Sequence, residues 1–392
     1  MIYIDNNATT KTAPEVLESM EPYLTESYGN PSSIHHLGQE ARKAVDWARE
    51  KAASFLGARH ESEIIFTGGG TESNNLAIRG FLKSREYAGM PSSTRARSKV
   101  ITTRVEHPSV LNIFKELERE GYQVIFLDVD SNGRLDLERL RSELSRETLL
   151  VSIMMANNET GVIFPVEEAA KWVKASGAFF HVDAVQASGR IPLSLQDSAI
   201  DLLSLSGHKM HAPKGVGALY VRKGTPLSAW LVGGSQEREK RSGTENVAAI
   251  VGLGKACELA AHDFCERNER LSFLRDKLEA GLMELIPGAT VNGDREHRVS
   301  NTSNMSFEGV DSESVLLALN EEGVCASSGS ACSTGSVQLS HVLLAMGYGE
   351  ERVRGAIRFS LGRYNQEEEI DLILQKMPFL IARLRAIQNS EI

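Results

Sequence analysis

The chain has 392 residues, a formal net charge of −9, 41% hydrophobic residues and 24% charged residues. This is the balance of an ordinary globular protein, long enough for two or three domains and a large core. The acidic excess speaks against nucleic acid or an anionic membrane as the main partner, and no apolar run approaches the roughly 20 residues of a membrane span.

The opening Met1-Ile-Tyr-Ile-Asp5 has neither the basic start nor the apolar stretch of a signal peptide. A cytoplasmic location is therefore expected. The cysteines Cys257, Cys265, Cys325 and Cys332 form no CxxC pair and share no zinc spacing with histidines. No metal site is expected, and in a reducing compartment the four are thiols.

In chain order, Gly38–Leu56 reads as a helix. Ala41, Val45, Ala48, Ala52 and Phe55 share one face, and Gly57 stands at the C-terminal cap position. Glu63–Thr67 reads as a strand, followed by Gly68-Gly69-Gly70 and a helix over Glu72–Lys83. Pro91–Ser98 reads as a surface loop. Strands follow at Val100–Thr103, Tyr122–Leu127, Leu149–Met155, Phe179–Val182 and Leu202–Leu205, with a helix at Pro165–Ser176. Strands alternating with helices predict an α/β fold whose mostly parallel sheet is covered on both faces. After Gly254 the texture changes. A long amphipathic helix over Lys255–Leu285 leads to strands Asn304–Phe307, Val324–Ala326 and Ala356–Ser360, with helices Ser312–Asn320 and Glu367–Ile387. Residues 15–255 are read as a large domain; residues 1–14 and 256–392 are read as a smaller α+β domain.

Four segments carry chemistry. Lys209, in Ser206-Gly-His-Lys209, stands just past the C-terminal end of a strand, where open α/β sheets bind ligands. A lysine there can form a Schiff base with an aldehyde cofactor, although a solvated loop lysine explains it locally as well. Asp183 ends the Phe179–Val182 strand and could keep a pyridinium nitrogen protonated, or simply cap a helix. Phe66-Thr-Gly-Gly-Gly-Thr71 makes an anion site from backbone N–H groups, or a tight turn. It matches neither GxGxxG nor GxxxxGK[ST], so neither a dinucleotide nor a nucleoside triphosphate is indicated. His107, in Glu106-His-Pro-Ser109, can stack on a flat ring and move protons, or serve as an ordinary loop histidine.

Together with Tyr3-Ile-Asp-Asn-Asn-Ala-Thr-Thr10, Gly29-Asn-Pro-Ser-Ser33, Ala156-Asn-Asn-Glu-Thr-Gly161, Arg241-Ser-Gly-Thr-Glu-Asn246, Ser327-Ser-Gly-Ser-Ala-Cys-Ser-Thr-Gly335 and Ile357-Arg-Phe-Ser-Leu-Gly-Arg363, these segments resemble the class V aminotransferases. That family belongs to the pyridoxal-5′-phosphate (PLP) dependent fold type I group. Within it the chain resembles cysteine desulfurases of the NifS/IscS type. The resemblance implies a large domain with a mainly parallel seven-stranded sheet and a small α+β domain. It implies PLP as cofactor and L-cysteine as substrate, converted to L-alanine with a persulfide left on Cys332. It assigns Lys209 to the Schiff base, Asp183 to the ring nitrogen, Gln186 to the phenolic oxygen and His107 to the ring face. Gly70, Thr71, Ser206 and His208 are assigned to the phosphate, and Asn157 to cofactor and substrate. Arg358 is assigned to the substrate carboxylate, a bidentate task suited to guanidinium; taken alone it reads as a surface salt bridge. Thr244 is implied to reach the phosphate of a partner subunit, hence a homodimer with composite sites.

Cys332 lies in a Ser/Gly/Ala stretch without bulky anchors. A nucleophile that takes sulfur and passes it on must travel and must be a thiolate, whereas a lone cysteine is ordinarily a small buried apolar residue. Cys325 is read as a strand core residue, and Cys257 and Cys265 as helix packing. Gly68 and Ala212 depart from the family pattern, where many relatives have Ser and Gly, and leave the subfamily open. A selenocysteine lyase, another class V enzyme and a non-catalytic sulfur scaffold are the alternatives. The sulfur acceptor, such as an iron–sulfur scaffold protein, is not written in the chain.

Overall fold

The computed structural model describes residues 1–87, 98–328 and 339–390. Cys332, the rest of its Ser/Gly-rich stretch beyond Ser328 and most of Pro91–Ser98 lie outside the described residues. The strands are β1 (Ile2–Tyr3), β2 (Ile64–Thr67), β3 (Lys99–Thr103), β4 (Gln123–Leu127), β5 (Thr148–Met154), β6 (Phe179–Asp183), β7 (Leu202–Ser206) and β8 (Gly217–Val221), then β9 (Ala289–Val291), β10 (Thr302–Phe307), β11 (Val324–Cys325) and β12 (Ala356–Ser360).

The predicted seven-stranded sheet is present, in the order β2-β8-β7-β6-β5-β3-β4. The neighbours from β7 to β4 run parallel, whereas β8 runs antiparallel to both β7 and β2. Alternation of side chains places successive residues on opposite faces. Ile64, Phe66, Leu203, Ala218 and Tyr220 join one buried cluster, while Ile65, Leu202 and Leu219 join the cluster on the other face. Both faces are thus apolar, as a parallel sheet under helices requires. β8 has no counterpart in the sequence reading, although its apolar run between Gly217 and Val221 is almost wholly buried.

The helix His36–Leu56 ends at Gly57, whose φ of 60° is the left-handed cap that glycine supplies without strain. The glycine run opens its helix at Gly70, two residues before the expected Glu72, and the helical stretch continues to Tyr87 through a π turn at Leu76–Gly80.

The long helix expected over Lys255–Leu285 is two helices, Val247–His262 and Phe264–Leu285. The reason lies in packing. The first lies on His36–Leu56, where a Cβ at Gly254 would fall 2.7 Å from Ala48 Cα, and joins the large cluster through Ala256 and Cys257. The second joins a separate cluster through Leu271, Leu274, Leu278 and Leu282. One straight helix cannot face both, and the chain turns at Asp263 (φ −109°, ψ 24°), whose carboxylate pairs with Arg267. Cys265 sits exposed in the first turn of the second helix rather than packed, Cys325 is half-buried, and Cys257 is buried.

β9, β10 and β12 form an antiparallel sheet with β10 in the middle, and β1 pairs in parallel with β11. The N-terminal residues thus pack with the C-terminal third of the chain. No helix among the described residues is long and apolar enough to cross a membrane.

Between β8 and Thr244 the chain makes a left-handed turn. Glu237, Arg238 and Glu239 have φ of 44°, 56° and 62°, a conformation that costs a non-glycine residue about 1–2 kcal/mol. Glu237 holds it. Its buried carboxylate takes both terminal nitrogens of buried Arg49, at 2.7 and 2.8 Å, and the Phe66 N–H at 3.0 Å. Exposed Glu239 contributes strain without such anchoring. Glu239→Gly is expected to raise unfolding stability in urea by about 1 kcal/mol. Arg49→Met strands the Glu237 charge and is expected to lower it by about 3–5 kcal/mol. A Glu239→Gly midpoint at or below wild type contradicts the strain.

Candidate active site

The C-terminal ends of β5, β6 and β7 open into a cavity of about 300 Å³. It brings together Gly70, Thr71, His107, Asp183, Gln186, Ser206, His208 and Lys209. Each arrives by a local device. Asp183 and Ser206 are the last residues of β6 and β7, and Lys209 follows in the single turn Gly207–Lys209. His107 caps the helix Pro108–Arg119. Gly70 starts its helix against Val185 and Ser206, and a Cβ there would meet Val185 Cγ2 at 2.9 Å.

The electrostatics are set by burial. The Lys209 amine donates to the carbonyls of Asn7 (2.5 Å) and Ala8 (2.7 Å). Burial, then the nearby charges of Arg358 and Arg190, push it down to about 7. The Asp183 carboxylate is buried and held on both oxygens, by Asn74 Nδ2 at 2.7 Å and by the Val185 N–H at 3.0 Å. His107 Nδ1 accepts the Ser109 N–H at 3.1 Å and lies 2.8 Å from Ser109 Oγ. An accepting Nδ1 assigns the ring proton to Nε2. The ring has an open face, yet the protein around it holds His107 below the usual histidine range, burial being the main cause. His208 is pushed down to about 4, by burial and then by Lys209 and Lys214. It is a neutral ring whose Nδ1 lies 3.1 Å from Thr9 Oγ1.

Other predicted residues stand apart from this lining. Asn157 is turned inward: its Oδ1 accepts the Glu159 and Thr160 N–H groups at 2.9 and 3.0 Å, and its Nδ2 donates to Val105 O at 3.1 Å. Its neighbour Asn158 lines the cavity instead. Arg358 is buried, donating to Asp5 Oδ1 at 2.7 Å and to Asn158 O at 3.0 Å, with its Nε unpaired. Thr244 is exposed and lies outside the lining. Cys332 lies outside the described residues.

Supporting residues escaped the sequence reading. Asn74 fixes Asp183 from three residues beyond Thr71; a polar residue on the inward face of a site helix was the available signal. Glu106 is wholly buried. Its Oε1 accepts Thr103 Oγ1 at 2.8 Å and the Met154 N–H at 3.0 Å, tying the end of β3 to the end of β5. Burial pushes its carboxyl up to about 8, so it is a neutral acid at pH 7. Asn7 and Ala8 act through carbonyls, which every residue has, so no side-chain pattern marks them.

A desolvated amine, a fixed carboxylate and hydroxyl and imidazole donors thus face one cavity at the carboxyl edge of a parallel sheet. The Aminotransferase class-V family model matches residues 2–373. A cysteine desulfurase of Nostoc sp. strain PCC 7120 is 52% identical over 99% of this chain and 94% of its own. The cysteine desulfurase NifS of Azotobacter vinelandii is 48% identical over 98% of this chain and 94% of its own. Among solved structures, a NifS-like protein superposes with a TM-score of 0.90 at 41% identity, covering 98% of this chain and all of that one. With its seven-stranded sheet and its cavity at the ends of β5, β6 and β7, the chain belongs to the aminotransferase class-V family.

Proposed function

We propose that this protein is a cysteine desulfurase that binds PLP in the cavity above β5, β6 and β7 and moves sulfur from L-cysteine onto Cys332. The observation that carries the reading is the desolvated Lys209 amine, which shares a single cavity with the buried, doubly held Asp183 carboxylate. The kinship with proteins named cysteine desulfurase supports the choice of substrate.

The residues fit the cofactor. Asp183 accepts one donor on each oxygen and retains lone pairs for a pyridinium N–H. Thr71, Ser206 and His208 offer donors to a phosphate beside the Gly69–Gly70 backbone, where side chains are absent. His107 presents an imidazole to the ring. When bound, PLP supplies the covalent attachment and the electron sink that make the substrate α-proton acidic.

The protein's own residues do the rest. Lys209, with a pKa near 7, is substantially neutral at physiological pH and takes the α-proton as a general base. Asp183 keeps the ring nitrogen protonated. His107 is neutral with its proton on Nε2, so it takes up the substrate thiol proton at Nδ1, giving up the Ser109 N–H that this nitrogen accepts. Arg358 binds the substrate carboxylate in competition with Asp5, its resident counter-ion. The Cys332 thiolate then attacks the substrate sulfur: the S–S bond forms, the Cβ–S bond breaks, and its electron pair stays with the carbon fragment, which leaves as alanine after protonation.

A homodimer and a protein that accepts the sulfur, such as an iron–sulfur scaffold, complete the proposal. In the dimer, exposed Thr244 serves the partner's phosphate site. Support for the dimer comes from the exposed apolar run Trp230-Leu231-Val232, whose Trp230 lines the wider cleft over Gly68–Thr71.

Purified wild type given L-cysteine and a thiol reductant is expected to release alanine and sulfide in equal amounts, and Cys332→Ala almost none of either. Full activity in that variant sinks the thiol assignment. Replacing the Arg358 fork by lysine loses about one charge-assisted hydrogen bond, about 1.5–3 kcal/mol, so Arg358→Lys is expected to raise KM for cysteine about ten- to hundredfold. An unchanged KM removes Arg358 from carboxylate binding. In cofactor-free protein, labelling of Lys209 by an amine reagent, followed by peptide mass spectrometry, should reach half-maximal rate near pH 7. Surface lysines titrate at about 10.4. A Lys209 midpoint above pH 9 contradicts the desolvated amine.

A further inference from the structure

Arg190 is half-buried and lines a pocket together with Lys209, Met210, Ala260 and Arg267. Among the described residues no carboxylate lies within ion-pair reach of it. Its neighbours in charge are Arg267 from the helix Phe264–Leu285 and Arg358 from β12, and together with burial they draw it down to about 10. Its guanidinium hydrogen-bonds to one residue among those described: Nη1 donates to the backbone carbonyl of Gln186 at 2.8 Å and to Gln186 Oε1 at 2.7 Å.

That contact has a consequence for the carboxamide. The two ends of a glutamine amide have nearly the same shape but opposite hydrogen-bonding roles. With Oε1 taken by a cation, the NH₂ end must point the other way. It does so: Nε2 donates to Asn7 O at 3.0 Å, the same carbonyl that receives the Lys209 amine. Gln186 lines the cavity, and its second N–H has no acceptor among the described residues. The guanidinium, the amide and the lysine are therefore linked, Arg190 to Gln186 and both Gln186 and Lys209 to Asn7 O.

We propose that Arg190 is a positioning residue that fixes Gln186 with its N–H toward the cavity, as a donor to the cofactor's phenolic oxygen. The inference rests on the PLP reading above. A donor to that oxygen stabilises its anion and so weakens the hold on the proton that the phenolate shares with the lysine–cofactor linkage. The other charges facing that linkage are Arg358, Asp5 and Asp183, with His107 and His208 at the cavity wall. All of these stay in place when Arg190 is changed.

The test is the pH dependence of the visible absorbance of the bound cofactor in purified holoenzyme. Arg190→Met frees the amide to turn its oxygen inward. The expected result is an upward shift of the midpoint by about one to two pH units, the worth of one hydrogen bond to a charged group. Arg190→Lys keeps a cationic donor, so its shift is expected to be less than half as large. Where Arg190→Met does not load cofactor, Arg190→Gln, of similar bulk and uncharged, is measured instead, with a shift of the same sign expected.

In a Gln186→Leu background only the direct charge of Arg190 on the lysine remains, so the Arg190→Met shift is expected to fall to less than half of its size in the wild-type background. An unshifted midpoint in the loaded variant overturns the proposal. An equal shift with and without Gln186 also overturns it, because Arg190 then acts directly. A wild type without any visible band overturns the cofactor reading, and this inference falls with it.

Discussion

The site depends on taking one amine out of water. Lys209 sits just past the end of β7, where the sheet delivers it, but position alone leaves a lysine protonated at pH 7. Enclosure by protein and the positive charges of Arg358 and Arg190 bring it near neutrality. The carbonyls of Asn7 and Ala8 then fix its direction without adding a negative charge. A carboxylate in their place would have restored the proton, and with it the unreactive ammonium.

Those carbonyls are presented by a segment that belongs structurally to the other end of the chain. β1 lies beside β11, and the Asn7 N–H donates to Ser360 Oγ at 2.9 Å. The Asn7 side chain donates to Thr302 Oγ1 at 2.9 Å and to Asn158 O at 3.2 Å, and accepts from Asn301 at 3.1 Å. Asn7 is thus bolted to β10, to β12 and to the loop after β5 at once, and its backbone oxygen is held still for Lys209. The same economy recurs elsewhere. Glu106 ties β3 to β5, and His341 Nε2 lies 3.0 Å from the Glu106 carbonyl. Ser340 Oγ donates at 2.5 Å to buried Glu159. Residues 340 and 341 follow shortly after the Cys332 stretch, so the C-terminal root of that stretch is fastened beside the His107 turn. Buried polar groups satisfied in this way specify one arrangement because the unsatisfied alternative is costly.

How much of this was legible in the sequence follows from what each feature rests on. Strands β3, β5, β6 and β7 are almost wholly buried runs of apolar and β-branched residues broken by few polar ones, and their ends fell within a residue or so of expectation because burial on both faces favours that pattern. The lysine, the aspartate and the glycine run were legible because their chemistry needs those residue types at strand ends. β8 escaped because a short antiparallel strand inserted between β2 and β7 looks like any five-residue apolar run. The break at Asp263 escaped because the helical period persists through it; only the change of packing partner requires the turn. Asn157 and Asn158 are chemically identical neighbours, and which one faces the cavity is decided by the turn that Asn157 closes onto Glu159 and Thr160. Arg358 was legible as a guanidinium, but its burial and its pairing with Asp5, 353 residues away, leave no local trace.

The central claim is that Lys209 is the residue that carries the cofactor. The most direct measurement is to reduce purified protein with borohydride, digest it, and locate the phosphopyridoxyl mass by peptide mass spectrometry. The account predicts the adduct on the peptide containing Lys209 and on no other lysine. An adduct confined to another lysine, or none on protein supplied with PLP, would contradict it.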